Sequence, residues 1–231
     1  FNKDMYALGS KRSSIRELFE YGKKRAKEVG AENVFDFSLG NPNVPAPDCV
    51  KDALVELANS CETLHGYTSA QGDASVRKTI SDYINERFDV NVTPDLIYMT
   101  VGAAASLTVT LKALAEENDE FITFAPFFPE YRVFVEGTGA SLTVVPAGPD
   151  MSLDLTAFEK AIGSRTKGVI INSPNNPSGA VYSEKQIKSL CSILVSKEKE
   201  YGHPIFLISD EPYREIVYDG ITVPYVMNYY D

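Results

Sequence analysis

Five short apolar runs, at residues 96–101, 121–125, 142–145, 168–171 and 205–209, punctuate the second half of the chain, with stretches of helical periodicity between them. A strand with one face in water alternates apolar and polar residues. These runs do not alternate, so both faces must be buried, which is the condition of a parallel sheet covered by helices. Between the runs, Ala104, Leu107, Thr108, Leu111, Leu114 and Ala115 share one helical face, and Ile187, Leu190, Cys191, Leu194 and Val195 share another. Ser183-Glu184-Lys185-Gln186 heads the latter as a capping box, and Thr156-Ala157-Phe158-Glu159 offers the same box for a short helix. The spacing predicts a doubly wound α/β domain with a mostly parallel sheet.

The first part of the chain has a different texture. Ile15, Leu18, Phe19 and Ala26 recur at helical spacing across residues 10–28, and Phe35-Asp36-Phe37-Ser38-Leu39 alternates before an irregular turn, Gly40-Asn41-Pro42-Asn43-Val44-Pro45. That turn is the expected boundary, with residues 1–45 as an N-terminal helix and segment of a second, smaller domain and 46–231 as the large domain. Further helices are predicted over 48–60 and 74–88, the second with Val76, Ile80, Tyr83, Ile84 and Arg87 on one face.

With 44% hydrophobic and 23% charged residues, disorder is excluded. The formal charge of −10, and no basic run longer than Lys23-Lys24-Arg25, argue against nucleic acid or an anionic membrane as partner. Cys49, Cys61 and Cys191 are odd in number, widely spaced and without a C-x-x-C, so neither a disulfide framework nor a metal site is expected, and a cytoplasmic setting is. No apolar stretch is long enough to span a bilayer. The chain starts at Phe1 rather than Met, which makes a trimmed sequence the expectation.

In open α/β sheets ligands bind beyond the carboxyl ends of the strands, so the segments after each run are the candidates. After the first run, Gly102-Ala103-Ala104-Ala105-Ser106 opens directly into a helix, where free N–H groups favour an anion. The same residues also make an ordinary tight turn. Pro126-Phe127-Phe128-Pro129-Glu130-Tyr131 follows the second run and offers rings either for stacking on a planar ligand or for the core. Asn172-Ser173-Pro174-Asn175-Asn176-Pro177-Ser178-Gly179 supplies amide donors or simply a turn. Asp210-Glu211-Pro212-Tyr213 ends the last run with a carboxylate that needs a cation or donors, unless Asp210 caps a helix. As a set, an anion cradle, an aromatic face, amide donors and an Asp-x-x-Tyr suit an aromatic phosphorylated ligand whose ring nitrogen becomes cationic. His65 and His203 have no partner pattern and are assigned structural roles.

The run NSPNNPSG followed by SDEPY resembles the class I/II aminotransferases, pyridoxal phosphate enzymes of fold type I in the aspartate aminotransferase superfamily. Gly40-Asn41-Pro42, Tyr67, Gly72 and Arg77 match that family's order, and the likeness extends over about residues 34–218. It implies transfer of an amino group between an amino acid and a 2-oxo acid, with a β-lyase, a decarboxylase or a non-catalytic sensor of the same fold as alternatives. It further implies that the backbone N–H groups of Ala103 and Ala104 hold the phosphate of pyridoxal 5'-phosphate and that Phe128 stacks on its ring. Asn176 and Tyr213 would donate to the ring hydroxyl oxygen, and Asp210 would pair with the ring nitrogen. Gly40 and Asn176 would meet the substrate carboxylate. Tyr67 would reach the phosphate of the neighbouring subunit in a homodimer.

The resemblance also implies a Schiff-base lysine downstream of Asp-x-x-Tyr, yet the last lysine is Lys199. Lys160, Lys167, Lys185, Lys188 and Lys197 lie on the wrong side of the motif. The expectation is therefore the N-terminal portion of a longer enzyme, inactive by itself, with the lysine and the carboxylate-binding arginines beyond Asp231.

Overall fold

A computed structural model describes residues 1–10, 14–40, 44–60 and 66–230. The chain divides into two compact units, Phe1–Tyr67 and Thr68–Asp231. In the first, helices α2 (Ser14–Val29) and α3 (Asp48–Asn59) form where the apolar spacing predicts them, a further helix, α1 (Lys3–Ser10), precedes them without having been expected, and α1 and α3 bury no residue. The alternating segment 35–39 is not a strand, and Phe35 and Phe37 are exposed. Asp36 instead turns its carboxylate onto the backbone N–H and hydroxyl of Ser38, a local bond that competes with extended pairing. Asn41, Pro42, Cys61 and His65 lie outside the described residues.

The second unit holds α4 (Ala74–Phe88), α5 (Ala103–Leu114), α6 (Glu130–Glu136), α7 (Leu155–Ala161) and α8 (Glu184–Tyr201), with strands β1 (Glu120–Phe124), β2 (Ser141–Val145), β3 (Thr166–Asn172) and β4 (Phe206–Asp210). The strands form one sheet in the order β2-β1-β3-β4, every pair parallel. Successive strand residues serve opposite faces. Ile122, Phe124, Val169 and Ile171 pack with Phe158 of α7 and Ile187, Leu190, Cys191 and Leu194 of α8. Phe121, Leu142 and Ile170 pack with Leu107 and Leu111 of α5 and Tyr131 and Val135 of α6. Helices thus cover both faces of the inner strands β1 and β3, as their lack of alternation requires, whereas β4, with a ladder partner on one side only, is half-buried and leaves Phe206 exposed, short of the burial expected from its run.

Two details depart from the sequence reading. The run at 96–101 is no strand: it leaves a single turn over Pro94–Leu96, and Met99 donates its backbone N–H to Gln71, which lies in a turn. An extended segment becomes a strand only beside another that shares its ladder, and none of the four strands flanks this one. In α7 the cap is Asp154, whose carboxylate accepts from the N–H of Ala157, rather than Thr156. Asp accepts a cap bond as well as Thr does, and it stands one residue before the first helical turn. The capping box of α8 forms as predicted between Ser183 and Gln186. Helix α4 buries Arg77 and Ser81, which donate to the carbonyls of Pro94 and Val92, while Val76 and Tyr83 stay exposed. No helix among the described residues is long and apolar enough to cross a membrane.

Gly168 leaves no room for a side chain between two neighbouring strands. It shares a rung with Phe121 on β1 and Phe206 on β4, and a Cβ there would sit 3.0 Å from both the Phe121 ring and the Phe206 carbonyl oxygen. Gly168→Ala should lower stability by about 1–3 kcal/mol, because β4's backbone cannot yield without breaking its ladder. Urea unfolding measures this, and an unchanged midpoint would show that the sheet accommodates the methyl.

Candidate active site

Because all strands run in parallel, β1, β3 and β4 deliver their carboxyl ends to one edge of the sheet. The last rung of the β3–β4 ladder pairs Asn172 with Asp210, and the Asn172 side-chain amide donates to the Asp210 carbonyl at 2.8 Å. Asn172 Oδ1 in turn accepts the backbone N–H of Asn176 at 2.5 Å, which sets the start of the following loop. Asn175 fastens that loop by donating to the carbonyl of Pro126 at 3.2 Å and by accepting from the N–H and hydroxyl of Ser178. One amide residue thereby ties the loop after β3 to the loop after β1.

These loops and the start of α5 enclose a cavity of about 210 Å³ lined by Ala103, Ala104, Leu107, Phe128, Asn172, Asn176, Asp210, Pro212 and Tyr213. Six of the eight residues singled out from the sequence therefore meet: Ala103, Ala104, Phe128, Asn176, Asp210 and Tyr213. Gly40 and Tyr67 belong to the first unit, and both are exposed.

Each wall has a local cause. Helix α5 starts at Gly102, whose φ of 83° is a conformation that a side chain would strain, and no side chain caps it. Its first intrahelical bond is from Ser106 to Gly102, so the N–H groups of Ala103 to Ala105 are not used by the helix and remain available to an anion. The hydroxyls of Thr100 and Ser106 bond each other at 2.7 Å beside this turn. Phe128 meets Tyr131 edge-to-face at 5.6 Å, which fixes its ring. Asn176 donates its side-chain amide to the Tyr213 hydroxyl at 3.3 Å.

Asp210 is the charged centre of this arrangement. Partial burial raises the pKa of its carboxyl, and the negative charge of Glu211 adds to that, while a hydrogen bond from Tyr131 acts in the opposite direction. The Tyr131 hydroxyl, on a side chain only 1% exposed, donates to Asp210 Oδ2 at 2.5 Å. Burial and the adjacent carboxylate push the phenol far above its ordinary value, so it remains a donor. In the sequence Tyr131 stands only among candidate stacking rings, with nothing that points to this bond. Its only local signal is its position three residues beyond Phe128, at the second residue of α6. Asn172, the hinge of the β3 loop, was likewise read only as part of a motif.

The set fits a flat phosphorylated pyridine: uncapped N–H groups for the phosphate, a ring wall, amide and phenol groups for a ring oxygen, and a desolvated carboxylate that would gain from a cationic ring nitrogen. The sequence pattern of the family described as aminotransferase class I and II matches residues 32–230. The chain belongs to that family. Its members use pyridoxal phosphate as cofactor.

Among individual aminotransferases, the chain is similar to a solved amino transferase from Eubacterium rectale, with a TM-score of 0.96 and 57% identity, covering 100% of this chain and 59% of that one. It is 30% identical to the aspartate aminotransferase of Thermotoga maritima over 85% of this chain and 50% of that protein. It is also 30% identical to human kynurenine–oxoglutarate transaminase 3, over 81% of this chain and 42% of that protein. The chain spans about half the length of the curated relatives it matches.

The Asp210–Tyr131 bond has a measurable consequence. Tyr131→Phe removes the one donor among the described residues that favours the charged carboxylate, so the Asp210 carboxyl should titrate higher in the cofactor-free protein, read from its side-chain 13C shift against pH. The folded state already holds this proton more tightly than an unfolded chain would. Asp210's contribution to stability is therefore present at low pH and is lost as pH rises from the ordinary carboxylate range through its raised value. The variant widens that interval; an unchanged titration would show that the hydroxyl does not act on the carboxylate.

Proposed function

We propose that the protein containing these residues transfers an amino group between an amino acid and a 2-oxo acid, with pyridoxal phosphate held in the cavity at the end of β4. The observation that carries this reading is the convergence of Asp210, Asn176, Tyr213, Phe128 and the uncapped start of α5 on one cavity.

When bound, the cofactor supplies an electron-withdrawing ring into which the charge left on a substrate α-carbon can spread. The chain's own residues prepare that chemistry. Ala103 and Ala104 offer backbone N–H groups to the phosphate, where the α5 dipole favours negative charge. Phe128 covers the ring and keeps water from that side. Asp210, oriented by Tyr131, holds a proton at the ring nitrogen, and the attraction between the two charges lowers the energy of a carboxylate that burial otherwise penalises. Asn176 and Tyr213 donate to the ring hydroxyl oxygen, and Asn176 and Gly40 meet the substrate carboxylate.

The same reading assigns residues 1–45 to a smaller domain and makes the working enzyme a cytoplasmic homodimer in which Tyr67 reaches the neighbouring subunit's phosphate. The reading also calls for a lysine that moves the proton at the α-carbon and for arginines that clamp the substrate carboxylate, and it assigns neither role to any of the residues described above.

Full-length protein given amino-acid and 2-oxo-acid pairs should exchange amino groups between them. Release of pyruvate and ammonia without an acceptor would assign a lyase instead, and no turnover with retained cofactor would assign a sensor. Asp210→Ala should lower kcat by about a hundredfold to a thousandfold with the fold intact, since electrostatic stabilisation of this kind is worth on the order of 2.7–4 kcal/mol. Wild-type turnover in that variant would remove Asp210 from the mechanism. Phe128→Ala should loosen cofactor retention in dialysis more than it lowers kcat, and unchanged retention would make the ring simple packing.

A further inference from the structure

Arg214 follows Asp210 by four residues, yet it lines none of the cavity. Its side chain is only 10% exposed and every partner is internal. The guanidinium grips Glu211 with two nitrogens, Nε to Oε2 at 2.8 Å and Nη2 to Oε1 at 2.6 Å. Nη1 donates to the carbonyl of Val223 at 2.8 Å and Nη2 to that of Pro224 at 3.0 Å. It also lies 5.1 Å and 5.0 Å from the ring centres of Phe88 and Tyr225, which stack on each other at 4.2 Å. Phe88 is the last residue of α4. One side chain thus joins the turn after β4, the segment 223–225 and the end of α4.

The chemistry requires arginine. A planar fork with five donors can satisfy a carboxylate and two carbonyls at once, while lysine presents a single nitrogen. An exposed ion pair would contribute little, but this one is enclosed, so removing either partner strands the other's charge. That other charge matters because Glu211 adjoins Asp210. The Glu211 carboxylate is held by Arg214 and by the Ser209 hydroxyl at 2.7 Å, and its charge works against ionisation of Asp210. Asp210 is also faced by Tyr131 of α6, and Tyr213 and Tyr182 act electrostatically on that phenol.

We propose that Arg214 is a positioning residue for the reaction centre: its clamp on Glu211 and on residues 223–224 fixes Asp210 and Tyr213 at the cavity and offsets the charge of Asp210's neighbour. This role rests on the cofactor-site reading above. It adds a residue to the machinery that touches neither cofactor nor substrate.

The test uses full-length protein carrying Arg214→Gln, Glu211→Gln or both. In the cofactor-free form, Arg214→Gln should move the Asp210 carboxyl titration upward, Glu211→Gln should move it downward, and the double variant should return close to wild type. A residue that merely supports the fold would not give that compensation. In the holoenzyme, Arg214→Gln should lower kcat on the order of tenfold to a hundredfold while KM for the amino acid changes by less than about twofold. Should Arg214→Gln fail to fold, Glu211→Gln, which keeps an acceptor for Ser209 and Arg214, carries the titration arm alone. An Asp210 titration that Glu211→Gln leaves unmoved, or an unchanged kcat in Arg214→Gln, overturns the proposal. If the full-length protein binds no pyridoxal phosphate, the functional reading fails, while the cofactor-free titrations still decide what Arg214 does to Asp210.

Discussion

Asp210 carries its carboxylate at the carboxyl end of β4, where the surrounding protein removes part of its water, and a carboxylate in that position is unfavourable unless something answers its charge. Tyr131 answers one oxygen from α6, Asn172 anchors the backbone beneath it, and Arg214 occupies the neighbouring Glu211. None of these partners is a full counter-charge for Asp210 itself. The site therefore holds a negative group whose environment improves when a cation enters, which is the electrostatic condition for keeping a pyridine nitrogen protonated.

The sheet makes that condition possible. Parallel strands in the order β2-β1-β3-β4 bring the ends of β1, β3 and β4 to one edge, and Gly168 lets the Phe121 ring and the β4 backbone close around β3 without a gap. The loops at that edge are then tied to one another by polar bonds rather than left to find their own positions. Asn175 reaches the carbonyl of Pro126, and Asn172 reaches both Asp210 and Asn176. Rigid placement of this kind matters because catalytic and binding groups lose effectiveness steeply with small displacements.

Much of this was legible in the sequence because the signals were local. Non-alternating runs near residues 121, 142, 168 and 205 became strands, fully enclosed along most of β1 and β3 but only half-buried in β4 at the sheet's edge, and the Ser183–Gln186 box became the start of α8. The run at 96–101 has the same composition but no neighbouring strand, and pairing is a property of two segments that one segment cannot reveal. The motif residues Asn176, Asp210 and Tyr213 were identifiable from their pattern, whereas Tyr131 and Arg214 were not. Tyr131 meets Asp210 across 79 positions of sequence, and Arg214 reads in isolation as an ordinary surface charge. Their roles arise from tertiary contacts with carbonyls, rings and carboxylates that carry no spacing of their own.

A crystal structure of the full-length protein with pyridoxal phosphate would show whether Asp210 is the counter-charge of the cofactor's ring nitrogen. The ring nitrogen should lie within about 2.7–2.9 Å of an Asp210 carboxylate oxygen, the range of a charge-assisted N–H···O bond, with the phosphate at the N–H groups of Ala103 and Ala104. A bound ring whose nitrogen faces elsewhere, or a phosphate held away from the start of α5, would contradict this placement.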